Sequence, residues 1–145
     1  MAISPHTGAP ARILVVDDEP IIRDALERVL TDEGWLVEQA PSGLDALERC
    51  RREHFDALVL DQNMPGLTGI DVARELLHDG FATPIIIFSA IFGNELTAEC
   101  ARLGLLTIDK VDWHALVDCC RAAVEQSAPR RRRQLASRKP ALSQT

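Results

Sequence analysis

The chain has four cysteines but no C-x-x-C pair, and Cys50, Cys100, Cys119 and Cys120 stand at no spacing that a zinc site uses. They read instead as reduced, small hydrophobes, with Cys50 and Cys120 on the apolar faces of expected helices. The four histidines, His6, His54, His78 and His114, are scattered. None pairs with another at helical ligand spacing, so they read as surface or boundary residues. No apolar run approaches the length that crosses a bilayer, and Met1 to Pro10 lacks the charged and apolar regions of a signal peptide. These absences leave a cytoplasmic protein without a membrane partner as the expectation.

Positive charge is also scarce in most of the chain. There are 22 acidic residues against 16 lysines and arginines, for a net charge of −6. Arg130, Arg131, Arg132, Arg133, Arg138 and Lys139 fall in a segment after Ala128 that has no acid, leaving ten cations against 22 acids before it. An acidic body does not attract nucleic acid, so a nucleic-acid partner is not expected, although a basic tail is a place where an anion could bind. Lysine is rarest: Lys110 and Lys139 stand against fourteen arginines, and only Lys110 lies before the basic tail.

At 145 residues the chain suits one domain with its own core. A polar, proline-bearing leader is expected over residues 1–10 and a folded domain over 11–127. The basic tail, 128–145, is expected to be disordered, with a linker remnant or an anion-binding patch as the other readings. Arg12 to Asp17 predicts a strand, and Glu19-Pro20 opens a helix with proline where its missing N–H costs little. Trp35 to Ala40 predicts a second strand. Ser42, three residues before Asp45, caps a helix reaching about His54. Asp56 to Asp61 predicts a third strand, followed by a turn-rich loop and a helix to about Asp79. Pro84 opens a fourth strand over Ile85 to Phe88. A weaker helix over Asn94 to Leu103, a strand over Leu105 to Asp109 and a helix from Asp112 to about Ser127 complete the pattern. Strands alternating with helices five times predict an α/β fold, a doubly wound parallel sheet.

The most informative feature is where the apolar strands stop. Ile13-Leu14-Val15-Val16 runs into Asp17-Asp18, and Leu58-Val59-Leu60 runs into Asp61. Such short apolar runs are typical of strands buried on both faces. Acids at their C-terminal ends lie on the sheet rim where open α/β folds bind ligands. With strand order 2-1-3-4-5, strands one and three are neighbours and the three carboxylates converge. Their repulsion favours a hard divalent ion, and Mg²⁺ prefers oxygen ligands.

These residues resemble the receiver domain of bacterial two-component response regulators. The resemblance covers about Arg12 to Ser127. It rests on V-V-D-D-E-P at the first strand, L-V-L-D-Q-N-M-P-G-L-T-G at the third, Ser89-Ala90 after the fourth and Lys110 after the fifth. It implies a flavodoxin-like five-stranded sheet with helices on both faces. It also implies Mg²⁺ held by Asp18, Asp61 and the Asn63 backbone carbonyl, with Asp17 acting partly through water. Asp61 would be the phosphoacceptor, Ser89 and Lys110 would contact the phosphoryl oxygens, and the small Ala90 would leave room. The implied donor is a sensor histidine kinase or a histidine phosphotransfer protein, and the output a contact with a downstream protein. Catalysis is expected to be limited to slow self-phosphotransfer and dephosphorylation.

Two positions depart from the family pattern. Val111 follows the lysine where a proline, often cis, is usual, and Thr107 takes the place of an aromatic residue in a chain without tyrosine. The loop that aims Lys110 is therefore expected to be built differently. The departures also support a second reading, a pseudo-receiver that binds partners without phosphorylation. A haloacid-dehalogenase-like phosphatase is a third, but it requires an aspartate where Asn63 stands. The 18 residues after Ser127 are expected to be too few for a DNA-binding output domain.

Overall fold

The structure, a computed structural model, describes residues 9–90 and 93–143, with side chains as far as Pro129. Most of the expected leader, His6 and the side chains of the tail cations lie outside the described residues. Five strands form one parallel sheet: β1 (Arg12–Val16), β2 (Leu36–Ala40), β3 (Ala57–Leu60), β4 (Ile85–Ser89) and β5 (Leu106–Asp109). Their order is β2-β1-β3-β4-β5, the expected one, which makes β1 and β3 neighbours. Five helices connect and follow them: α1 (Pro20–Thr31), α2 (Gly43–Arg52), α3 (Gly69–His78), α4 (Asn94–Leu103) and α5 (Trp113–Ser143).

The central strands carry aliphatic residues on both faces because both faces are covered. Leu14, Val16, Leu58, Leu60, Ile85 and Ile87 pack with α2, α3 and α4. Ile13, Val15, Val59, Ile86 and Phe88 pack with Leu26 and Leu30 of α1 and Leu116 and Cys120 of α5. Period-two alternation thus divides one apolar run between two cores. Each fully buried aliphatic side chain contributes about 1.5–3 kcal/mol of transfer free energy. Cys50 and Cys120 are partly or fully buried in these cores, and burial pushes both thiols up to about 12. They are packing residues, as expected.

Helix starts follow local chemistry. Pro20 opens α1, and Ser42 Oγ accepts from the Asp45 N–H at 3.2 Å to cap α2. Thr68 and Asp71 cap α3 reciprocally, each side chain accepting from the other's backbone N–H. Gly104, at φ 72°, ends α4 in the left-handed conformation that glycine adopts without strain.

The clearest departure is α5. Apolar spacing placed its end near Ser127 and an unstructured tail beyond, whereas the helix continues through Pro129 to Ser143. Apolar periodicity marks only the part of a helix that packs on a core. Arginine, glutamine, leucine and alanine extend a helix without such a core. Among the described residues, no helix is long and apolar enough to cross a membrane.

A second surprise lies at the N-terminal end of β3. Asp56 is 1% exposed, and its carboxylate accepts from Arg12 N–H at 2.8 Å and from Ser127 Oγ at 2.6 Å. His54 Nε2 lies 3.2 Å from the same carboxylate, so this boundary histidine has a structural partner. The cluster ties α5 to β1 and β3. Ser127→Ala removes one of the donors to the buried Asp56 carboxylate and is expected to cost about 1–3 kcal/mol, read by urea unfolding.

On the outer side of β1 and β2, Arg12 and Arg49 both bind Glu38 and Glu53. The two guanidinium groups lie 4.7 and 5.7 Å from the centre of the Phe55 ring. Hydrogen bonds from Arg49 and then Arg12 hold the Glu53 carboxyl at about 2, down from 4.5. Because the folded-state value is depressed, its stabilisation is present above pH 4.5 and is lost as pH falls through about 2. Glu53→Gln should therefore cost about 1 kcal/mol at neutral pH, discounted for its partial exposure. Urea titrations over this acid range should show the gap from wild type closing.

Candidate functional site

The sheet brings the predicted site residues to its C-terminal rim. Val16 is in register with Leu60, Leu60 with Ile87, and Ser89 with Asp109. The ladder then continues one residue beyond the strands. Asp17 N–H donates to Ala40 O at 3.3 Å, Asp61 N–H to Val16 O at 2.9 Å, and Lys110 N–H to Ser89 O at 2.9 Å. Backbone pairing, rather than loop conformation, fixes the origin of each side chain.

The carboxylates of Asp17, Asp18 and Asp61 each offer an oxygen within 4.8 Å of the others. Asp17 and Asp61 are buried, at 1% and 5% exposure, while Asp18 faces solvent. Lys110 Nζ lies 2.7 Å from Asp17 Oδ2 and 3.3 Å from Asp61 Oδ1, so it bridges the two buried acids. Asp17 Oδ1 also accepts from the Glu19 N–H at 2.9 Å.

Burial, followed by the charge of Asp17, raises the Asp61 carboxyl above the usual range. Lys110 and a hydrogen bond from the Asn63 N–H only partly offset this. Burial alone would lower the Lys110 ammonium, but its bonds to Asp17 and the charges of both acids outweigh it and raise the group. Lys110 therefore remains charged.

Three carboxylates and one ammonium leave two negative charges uncompensated, which one divalent cation would neutralise. The all-oxygen donor set, open to water at Asp18, fits Mg²⁺ in particular, since that ion retains several waters. Ser89 completes the arrangement. It is fully buried, and its Oγ is the one buried side-chain polar atom among the described residues without a hydrogen-bond partner. Such an atom costs about 1–3 kcal/mol if left unsatisfied, so it calls for a polar guest.

The loop after β3 is pulled tightly against the site. A Cβ added at Gly69 would come within 2.6 Å of Asp61 O, so only glycine allows the start of α3 to approach the acid's backbone this closely. Gln62 secures the same turn, its carbonyl accepting from Gly69 N–H at 3.2 Å and its side chain from Ile70 N–H at 2.9 Å. These contacts, and the bond from Arg23 Nη1 to Asp17 O at 2.7 Å, are missing from the sequence reading. The G-L-T-G turn hinted at the glycine; nothing in the sequence marks Arg23. Of the departures, Val111 is 83% exposed and Thr107 is also exposed. No described peptide bond is cis, so the Lys110–Val111 loop follows a trans path.

The likenesses to known proteins fall on this arrangement. The response regulator receiver domain family matches residues 13–108. Response regulator MprA of Mycobacterium leprae is 46% identical over 79 residues, covering 54% of this chain and 35% of that protein. The chain thus spans about a third of the length of the curated relatives it matches. The receiver domain of the Francisella response regulator 1452 superposes with a TM-score of 0.76 at 25% identity, over 81% of this chain and 98% of that one. TrrA of Thermotoga maritima, solved in complex with Mg²⁺-BeF, gives a TM-score of 0.71 at 29% identity, over 78% and 98% of the two chains. Strand order, rim chemistry and the family match over most of the sheet agree, and the chain belongs to the response-regulator receiver domain family of two-component signalling.

Proposed function

We propose that this receiver is the phosphoacceptor of a two-component phosphorelay. Asp61 takes the phosphoryl group from a phosphohistidine on a sensor histidine kinase or a histidine phosphotransfer protein. The supporting observation is a buried, under-compensated carboxylate on the same rim as a buried hydroxyl without a partner.

An Asp61 carboxylate oxygen attacks phosphorus. The new O–P bond forms as the N–P bond of the phosphohistidine breaks, and the electron pair returns to the imidazole nitrogen. Lys110, already beside Asp61 Oδ1, follows the charge onto a phosphoryl oxygen as a compact point charge. Ser89 Oγ donates to another phosphoryl oxygen, satisfying its unused hydrogen-bonding capacity. Ala90, small and exposed, leaves room above the acid. Asp17, Asp18, Asp61 and the Asn63 carbonyl are the residues that would hold Mg²⁺. When bound, the ion supplies charge compensation to the nucleophile and the transferred group. The Mg²⁺-BeF complex of the related TrrA supports this choice of ion. The phosphorylated receiver then signals through contact with a downstream protein.

Incubation with Mg²⁺ and acetyl phosphate, followed by intact-mass measurement, tests this reading. Wild type should gain one phosphoryl group, and Asp61→Asn or chelation by EDTA should abolish the gain. Absence of the gain with both acetyl phosphate and an active cognate kinase would instead favour a phosphorylation-independent binding module. Sustained turnover of organic phosphates would favour a phosphatase.

A further inference from the structure

Arg23 lies on α1 outside the acidic cluster, yet its guanidinium joins the site to β2. Nη1 donates to the main-chain carbonyl of Asp17 at 2.7 Å, while Nε donates to Gln39 Oε1 at 3.0 Å. Gln39 is fixed in turn, its Nε2 donating to Asp24 Oδ1 at 3.0 Å and Glu27 Oε1 at 2.8 Å. The carbonyl held by Arg23 belongs to the peptide that joins Asp17 to Asp18.

The two acids depend on that peptide to different degrees. Asp17's carboxylate is fixed by its own bonds to Lys110 and the Glu19 N–H. Asp18 is exposed and makes no hydrogen bond or ion pair among the described residues, so its carboxylate is aimed only by its backbone. A freely rotating side chain pays an entropy cost when it is captured by a ligand, and a fixed peptide plane reduces the space it must search.

We propose that Arg23, locked by Gln39, is a positioning residue for the divalent-cation site, holding the Asp17–Asp18 peptide so that Asp18 faces Asp17 and Asp61. This rests on the reading of those three acids as the Mg²⁺ site. Arginine suits the position because one planar fork reaches the carbonyl and the amide together, which an ammonium does not reproduce. The positioning role has a sign opposite to that of simple charge. A guanidinium near a cation site repels the cation, so removing its charge alone would tighten binding.

Mg²⁺ titration of the full chain by calorimetry, with the Asp18 amide followed by NMR, tests the proposal. Arg23→Met should weaken Mg²⁺ binding about tenfold, the scale typical of outer-shell partners. Gln39→Met, which keeps the arginine charge, should weaken it in the same direction. The double variant should be no weaker than Arg23→Met, because both act through one contact. Arg23→Lys should fall between wild type and Arg23→Met. Melting curves without Mg²⁺ identify a variant that fails to fold, and in that case Gln39→Met carries the test. Unchanged or tighter binding by a folded variant overturns the positioning role alone. A wild-type chain that takes up no Mg²⁺ overturns the metal-site reading and, with it, the proposal.

Discussion

The bridge from Lys110 to Asp17 and Asp61 holds the functional end of the fold together. Two buried carboxylates on adjacent strands could not both remain ionised there without a cation between them. The ammonium comes from beyond β5, two strands away from β3, and reaches the acids because its own backbone is held by Ser89 O. The sheet order is therefore part of the electrostatics. If β5 lay elsewhere, the acids would lose their fixed cation, and the rim would repel itself.

The bridge compensates only part of the charge. One ammonium against three acids keeps the site short of positive charge, and Asp61 remains raised despite its proximity to Lys110. This deficit makes the rim receptive to a divalent ion. A second ammonium in the same place would stabilise the fold while leaving the site less able to hold a cation. The arrangement is thus better suited to binding than to stability.

Much of this was legible because parallel strands buried on both faces leave a continuous apolar run, and because acids that end two neighbouring runs repel one another unless a cation compensates them. Asp17, Asp61, Ser89 and Lys110 fall on the rim expected of them, and α4 keeps its expected bounds. Contacts between residues far apart in sequence were not legible. Arg23 meets Gln39 only because β2 lies beside β1, and Ser127 meets Asp56 only because α5 crosses the base of β3. The end of α5 was misplaced because apolar spacing reports packing and falls silent where a helix leaves the core. Thr107 and Val111 are exposed. Neither takes part in the packing of the two cores.

The two aspartates that flank β3 show what separates an acid saturated by donors from one left short of them. Asp56 immediately precedes the strand and Asp61 immediately follows it, and both are buried. Asp56 is surrounded by donors: a backbone N–H, a serine hydroxyl and an imidazole, all from residues whose positions the fold fixes. Its lone pairs are occupied, and reaching them would mean detaching α5. Asp61 has one backbone N–H and a shared ammonium, faces a second carboxylate, and has a hydroxyl without a partner on the same rim. Residue type, burial and strand are the same, so none of these distinguishes the two. The number of donors does. An acid saturated by donors serves as an anchor, whereas an acid held in place yet short of donors keeps the electron density that a phosphorus atom or a metal ion requires.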